Sequence, residues 1–134
     1  MKQSENKTSN KIFLIEDDEL TIKTVKFVLE REGYEVLIAK DGELAMNMLD
    51  KKVDLILLDL VMPLINGFEL LKIIRQEKYI QTPVIVISNL SEAEDIKRAF
   101  ELGATDYLVK NELSIKAIAE KIRATLEKFT PHAN

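Results

Sequence analysis

Apolar and polar positions along this chain fall into blocks of two alternating kinds. Short apolar runs rich in β-branched residues recur at 12–15, 34–38, 55–58, 84–87 and 107–109. The first, third and fourth are unbroken, as expected of strands buried on both faces of a parallel sheet. Between them the spacing becomes helical. Ile22, Val25, Val28 and Leu29 lie on one stripe, and Ile115, Ile118, Ile122, Leu126 and Phe129 on another. Shorter stripes comprise Leu44, Ala45, Met48 and Leu49, and then Phe68, Leu71 and Ile74. The stripe at Ile96, Ala99 and Phe100 is the narrowest and carries the most charge around it.

The punctuation agrees with this division. Gly33 and Gly103 stand where helices should end in a left-handed residue. Ser91 and Ser114 precede helical patterns, as N-caps would. Thr82-Pro83 opens the fourth run, where a missing N–H does little harm. Five strand–helix repeats predict an α/β fold: a single (βα)5 doubly wound parallel sheet with right-handed crossovers. Among doubly wound orders the flavodoxin-like 2-1-3-4-5 is expected, with its switch point between the first and third strands.

Composition narrows the function. The chain has 134 residues, 46% hydrophobic and 31% charged, enough for one domain. It has no cysteine, which excludes disulfides, zinc–thiolate sites and thiol catalysis and fits a cytoplasmic location. No run approaches a membrane span of about 18 apolar residues, and the polar start lacks the core of a signal peptide. The net charge of −4 leaves no basic footprint for direct contact with nucleic acid.

The chemistry gathers where strands end. The first runs into Glu16-Asp17-Asp18, the third into Asp59, the fourth into Ser88 and the fifth into Lys110. In a parallel sheet these ends share one edge. Carboxylates crowded there repel one another, and a hard cation such as Mg²⁺ resolves the conflict with oxygen ligands. Asp59 beside it can act as a nucleophile toward a phosphoryl group. Lys110 would offset charge on the transferring group, and the Ser88 hydroxyl could donate a hydrogen bond to it once attached. Plainer roles exist: an acidic turn can simply cap a helix, Lys110 can be a surface lysine, and Tyr107 can cover the sheet edge. Tyr34, Tyr79 and the methionines read as structural, and His132, the single histidine, as inert.

Ile15-Glu16-Asp17-Asp18, the DxxMPxxxG pattern from Asp59 through Met62-Pro63 to Gly67, Val86-Ile87-Ser88, and Gly103-Ala104-Thr105-Asp106-Tyr107 with Lys110 resemble the receiver domain of bacterial two-component response regulators, in particular chemotaxis-regulator-like stand-alone receivers. The resemblance covers residues 11–128 and leaves 1–10 and 130–134 as flexible tails. It implies that Asp59 is the phosphoacceptor. Asp17 would bind the metal directly, Glu16 through water, and the backbone carbonyl of Val61 would complete the ligands. Asp18 would hold the next, less essential acidic position. Ser88 and Tyr107 match the switch pair, in which the hydroxyl moves to the phosphoryl group and the ring turns inward behind it. That movement remodels the face made by the fourth helix, fifth strand and fifth helix.

The implied donor is a phosphohistidine on a sensor histidine kinase or a histidine phosphotransfer protein, and the target is another protein. The chain would be a monomer or a weak phosphorylation-dependent dimer. It would catalyse only its own phosphoryl transfer and a slow autodephosphorylation. No output domain is legible, so the expectation is a stand-alone receiver or the receiver part of a longer regulator.

One departure from the pattern is Asn111, where the family usually has proline after the lysine. A cis bond before a non-proline residue costs about 2.5–4 kcal/mol, so a trans bond with a changed loop is expected. Apolar Val61 and Leu90 flank the acceptor and cannot orient an attacking water, which predicts a long-lived phosphorylated state. An aspartate-nucleophile Mg²⁺ phosphatase would need its nucleophile after the first strand and a cap over the substrate. A flavin binder would need a Gly/Ser/Thr-rich loop where this chain has three acids. A pseudo-receiver acting without phosphorylation would not need the full acidic set.

Overall fold

The structure is a computed structural model and describes residues 10–129. The expected tails, Asn10 apart, lie outside the described residues. Five strands, β1 (Lys11–Ile15), β2 (Glu35–Ala39), β3 (Leu55–Leu58), β4 (Val84–Ser88) and β5 (Asp106–Val109), form one parallel sheet in the order β2-β1-β3-β4-β5. The connecting helices are α1 (Glu19–Arg31), α2 (Gly42–Asn47), α3 (Gly67–Lys72), α4 (Ala93–Glu101) and α5 (Ile115–Phe129).

The unbroken apolar runs fill both faces of the sheet. Ile12, Leu14, Leu55, Leu57, Ile85 and Ile87 meet α1 through Ile22, Val25 and Leu29, and α5 through Ile122 and Leu126. The alternate residues Phe13, Ile15, Ile56, Leu58 and Val86 point the other way, onto Ala45, Phe68, Leu71, Ile74 and Ala99. Side chains of period two therefore feed two cores, each closed by helices presenting an apolar stripe. Burying each such Ile or Leu contributes about 1.5–3 kcal/mol, which fixes the register and hence the residues that emerge at the carboxyl edge.

Local signals set the helix ends. Gly33 (φ 95°) and Gly103 (φ 109°) take the left-handed conformation that closes α1 and α4. The amides of Tyr34 and Ala104 then reach back to the carbonyls of Leu29 and Ala99. Ser114 caps α5 by accepting from the Ala117 amide at 3.1 Å. Ser91 does not cap α4. The extended residue there is Glu92, whose carbonyl accepts the first helical bonds and whose side chain makes none. Strand two runs one residue later than the sequence pattern indicates, and α2 stops at Asn47, leaving buried Leu49 in the turn that follows. After α3 the chain opens into a π-wound turn, Ile73–Glu77, which no sequence signal announced.

Candidate functional site

The acids emerge at the switch point. The sheet ladder extends one residue beyond β1 and β3, because the Glu16 amide donates to the Ala39 carbonyl and the Asp59 amide to the Ile15 carbonyl, both at 3.0 Å. Both side chains are therefore held by fixed backbone, and both are buried, Glu16 completely. Glu16, Asp17 and Asp59 each offer a carboxylate oxygen, and these three atoms lie within 4.8 Å of one another. Asp17 is the exposed member of the three, on the solvent side.

Asp18 turns away from this cluster. Its carboxylate accepts from the Thr21 amide at 2.9 Å and from the Thr21 hydroxyl at 2.6 Å, capping α1. Those bonds hold its carboxyl below the ordinary value. Of the three consecutive acids, two therefore face the site and one serves the helix. The Asp18-x-x-Thr21 spacing is the signal that could have separated them.

Lys110 is the cation of the site. Its ammonium lies 2.8 Å from Glu16 Oε1 and 3.4 Å from Asp59 Oδ2. Burial pulls the ammonium down, but the Glu16 and Asp59 carboxylates outweigh it and the net direction is up. Glu16 shows the opposite balance. Burial and the charge of Asp59 push its carboxyl up to about 7, against the neighbouring Lys110 ammonium and the Asp18 amide, which donates to the other oxygen at 3.1 Å. Oε1 is buried, and the Lys110 ammonium at 2.8 Å is its partner, as an ion pair off the line of a good hydrogen bond. Three carboxylate oxygens within 4.8 Å of one another, two of them on buried side chains and with one nearby ammonium, fit a hard divalent cation; without imidazole or thiolate in the set, they do not suit a softer metal.

Asp59 is oriented from behind as well. Its Oδ1 accepts from the Val61 amide at 3.3 Å. The first residue of α3 packs directly under it: a Cβ added at Gly67 would collide with the Asp59 carbonyl and lie 2.6 Å from the Leu60 Cα, so only glycine admits this approach. Lys110–Glu112 forms a 3-10 turn, and no cis peptide occurs among the described residues, so the Lys110–Asn111 bond is trans as expected.

Ser88 is completely buried at the end of β4 and pairs in register with Val109. Its hydroxyl accepts from the Leu90 amide at 3.3 Å. Tyr107 is half-buried, and its hydroxyl already donates to the Leu90 carbonyl at 2.6 Å. Burial, reinforced by the charge of Asp95, pushes this phenol up. The expected switch pair thus grips the segment between β4 and α4 from both sides. Val61 is exposed and Leu90 half-exposed beside the acceptor.

Comparison with known proteins gives a consistent picture. Residues 12–123 match the family described as response regulator receiver domain. The chain is 42% identical over 119 residues to the transcriptional regulatory protein CpxR of Escherichia coli K12, covering 89% of this chain and 50% of that protein. It is 46% identical over 101 residues to the transcriptional regulatory protein CrdR of Helicobacter pylori, covering 75% and 47%. The chain thus spans about half the length of the curated relatives it matches. The receiver domain of the Francisella response regulator 1452 superposes with a TM-score of 0.83 at 30% identity, over 90% of this chain and 98% of that one. A two-component response regulator from Clostridium difficile gives 0.84 at 27% identity, over 92% and 100%.

Proposed function

The chain belongs to the response regulator receiver family of two-component signalling, and from that premise we propose that it is a switch thrown by phosphorylation of Asp59. The observation that carries this reading is the buried cluster of Glu16, Asp17 and Asp59 with Lys110 as its nearest cation.

An Asp59 carboxylate oxygen attacks the phosphorus of a phosphohistidine. The new O–P bond forms as the P–N bond breaks, and the electron pair leaves with the imidazole nitrogen. Lys110 offsets charge on the phosphoryl oxygens. Glu16, Asp17, Asp59 and the Val61 carbonyl would hold Mg²⁺, which supplies further neutralisation of those oxygens when bound. The Ser88 hydroxyl then donates to the attached group, releasing the Leu90 amide, and Tyr107 settles behind it. The outcome is a changed α4–β5–α5 face that a target protein reads.

The donor in this reading is a histidine kinase or histidine phosphotransfer protein, and the chain acts on no substrate but its own phosphoryl group. It works as a monomer or as a weak dimer when phosphorylated. Among the described residues no helix is long and apolar enough to cross a membrane; a cytoplasmic location is part of the proposal.

The test is the intact mass after incubation with acetyl phosphate, with and without Mg²⁺. One metal-dependent phosphoryl group should appear on the wild type and none on Asp59→Asn. Mg²⁺ binding without any adduct would overturn the chemistry and leave a receiver that acts by contact alone.

A further inference from the structure

The two ends of α4 are held in different ways. At the C-terminal end, Arg75 reaches across from the π-wound turn that follows α3. Its Nε donates to the Gly103 carbonyl at 3.0 Å, and one terminal nitrogen donates to the carbonyls of Ile80 at 2.7 Å and Thr82 at 2.8 Å. One planar guanidinium thus joins three segments: the end of α3, the approach to β4 and the turn between α4 and β5. The side-chain stem runs so close over Gly103 that a Cβ there would lie 2.7 Å from Arg75 Cγ. Among the described residues no carboxylate pairs with this cation, so its bonding capacity goes to backbone. The same end is fastened again by the Thr105 amide on the Val84 carbonyl at 2.7 Å and by the Val84 amide on the Thr105 hydroxyl at 3.0 Å. Ala99 is fully buried, and Arg98 lies 4.2 Å over the Phe68 ring.

The N-terminal end has nothing comparable. Glu92 makes no capping bond, and Ser91, Glu92, Ala93 and Glu94 are exposed. The side-chain hydrogen bonds that reach this end come from Ser88 and Tyr107, both onto Leu90.

We infer that α4 is a lever hinged at its C-terminal end, with Arg75 as the hinge pin and the Leu90 segment as the moving end. The inference rests on the phosphorylation switch proposed above and says how that switch moves the helix. When Ser88 turns to the phosphoryl group, the Leu90 amide loses its acceptor and the free end swings while the pinned end stays. Nine residues make a lever about 13 Å long, so a rotation of about 10° carries the free end about 2 Å. The π-wound turn is the structural device that aims Arg75 at Gly103, a use in keeping with such turns elsewhere. Arg75 touches no reacting atom and is a positioning residue.

The test is amide hydrogen exchange across residues 89–105, before and after phosphorylation from acetyl phosphate and Mg²⁺. Wild type is compared with Arg75→Lys and Arg75→Met, each first shown to unfold cooperatively. In the wild type, phosphorylation should change exchange at 89–96 and leave 100–105 unaltered. In the variants, exchange at 100–105 should rise about tenfold, as expected when buried carbonyls lose a charged donor, and the phosphorylation response should spread to both ends. Arg75→Lys, which keeps the charge but not the fork, should resemble Arg75→Met. A response at both ends of wild-type α4, or one still confined to 89–96 in both variants, would overturn the hinge. Intact mass is read first: no phosphoryl group on the wild type would overturn the switch and the hinge with it, whereas a phosphorylated wild type with the wrong exchange pattern overturns the hinge alone.

Discussion

The two edges of the sheet use the same residue types to opposite ends. At the amino edge the polar groups find protein partners. Asp54 accepts from the Lys11 amide at 2.7 Å, Thr105 exchanges bonds with Val84, and Arg75 covers three carbonyls. At the carboxyl edge, a strand's length away, Glu16 is fully buried, and the Lys110 ammonium stands beside a cluster of three carboxylates. The difference teaches where chemistry is to be sought. Carboxylates are ordinarily kept apart, so an edge that crowds three of them together is one that could hold a cation.

The contrast can be broken by exchanging which edge is disturbed. Lys110→Ala removes the cation of the carboxyl edge, and phosphoryl uptake from acetyl phosphate should slow by about 10²–10³-fold, measured as a mass time course. Arg75→Met does the reverse. It should lower the unfolding free energy by about 2–3 kcal/mol in urea, because carbonyls lose their donor, and leave the uptake rate within about twofold. If Arg75→Met slowed uptake as much as Lys110→Ala, the division between a holding edge and a reacting edge would be wrong. A smaller effect sharpens the comparison within the carboxyl edge. The phosphorylated wild type should persist well beyond seconds in Mg²⁺ buffer, and Val61→Asn, which offers polar atoms to a water beside Asp59, should shorten that lifetime severalfold.

Much of this was legible in the sequence. Unbroken apolar runs with helical stripes between them are what a parallel sheet buried on both faces requires, and that pattern yields the shared edge; the strand order was one choice among doubly wound orders, supported by the family resemblance. The acids, Ser88 and Lys110 follow directly, because a strand's last residue fixes the next side chain's place. Other features depend on tertiary geometry that no local pattern encodes. Lys110 lies closer to Glu16 than to Asp59, on a 3-10 turn that no local pattern announces. Nothing in the sequence singled out Arg75, because a π-wound turn breaks the 3.6-residue period on which such readings rest.

The proposal that the carboxyl edge holds Mg²⁺ is tested most directly by stability against pH, with and without the metal. Glu16 is held at about 7 against an ordinary 4.5, so between those values the folded protein binds more protons than the unfolded chain. Metal-free stability should therefore fall as pH rises from 5 to 8, by about 2 kcal/mol. Asp18, whose carboxyl is lowered, contributes stability that is lost only at more acidic pH, outside this window. Mg²⁺ should abolish or reverse the decline, and Glu16→Gln should flatten it without metal. Metal-free stability that rises from pH 5 to 8, or curves that coincide with and without Mg²⁺, would contradict the account.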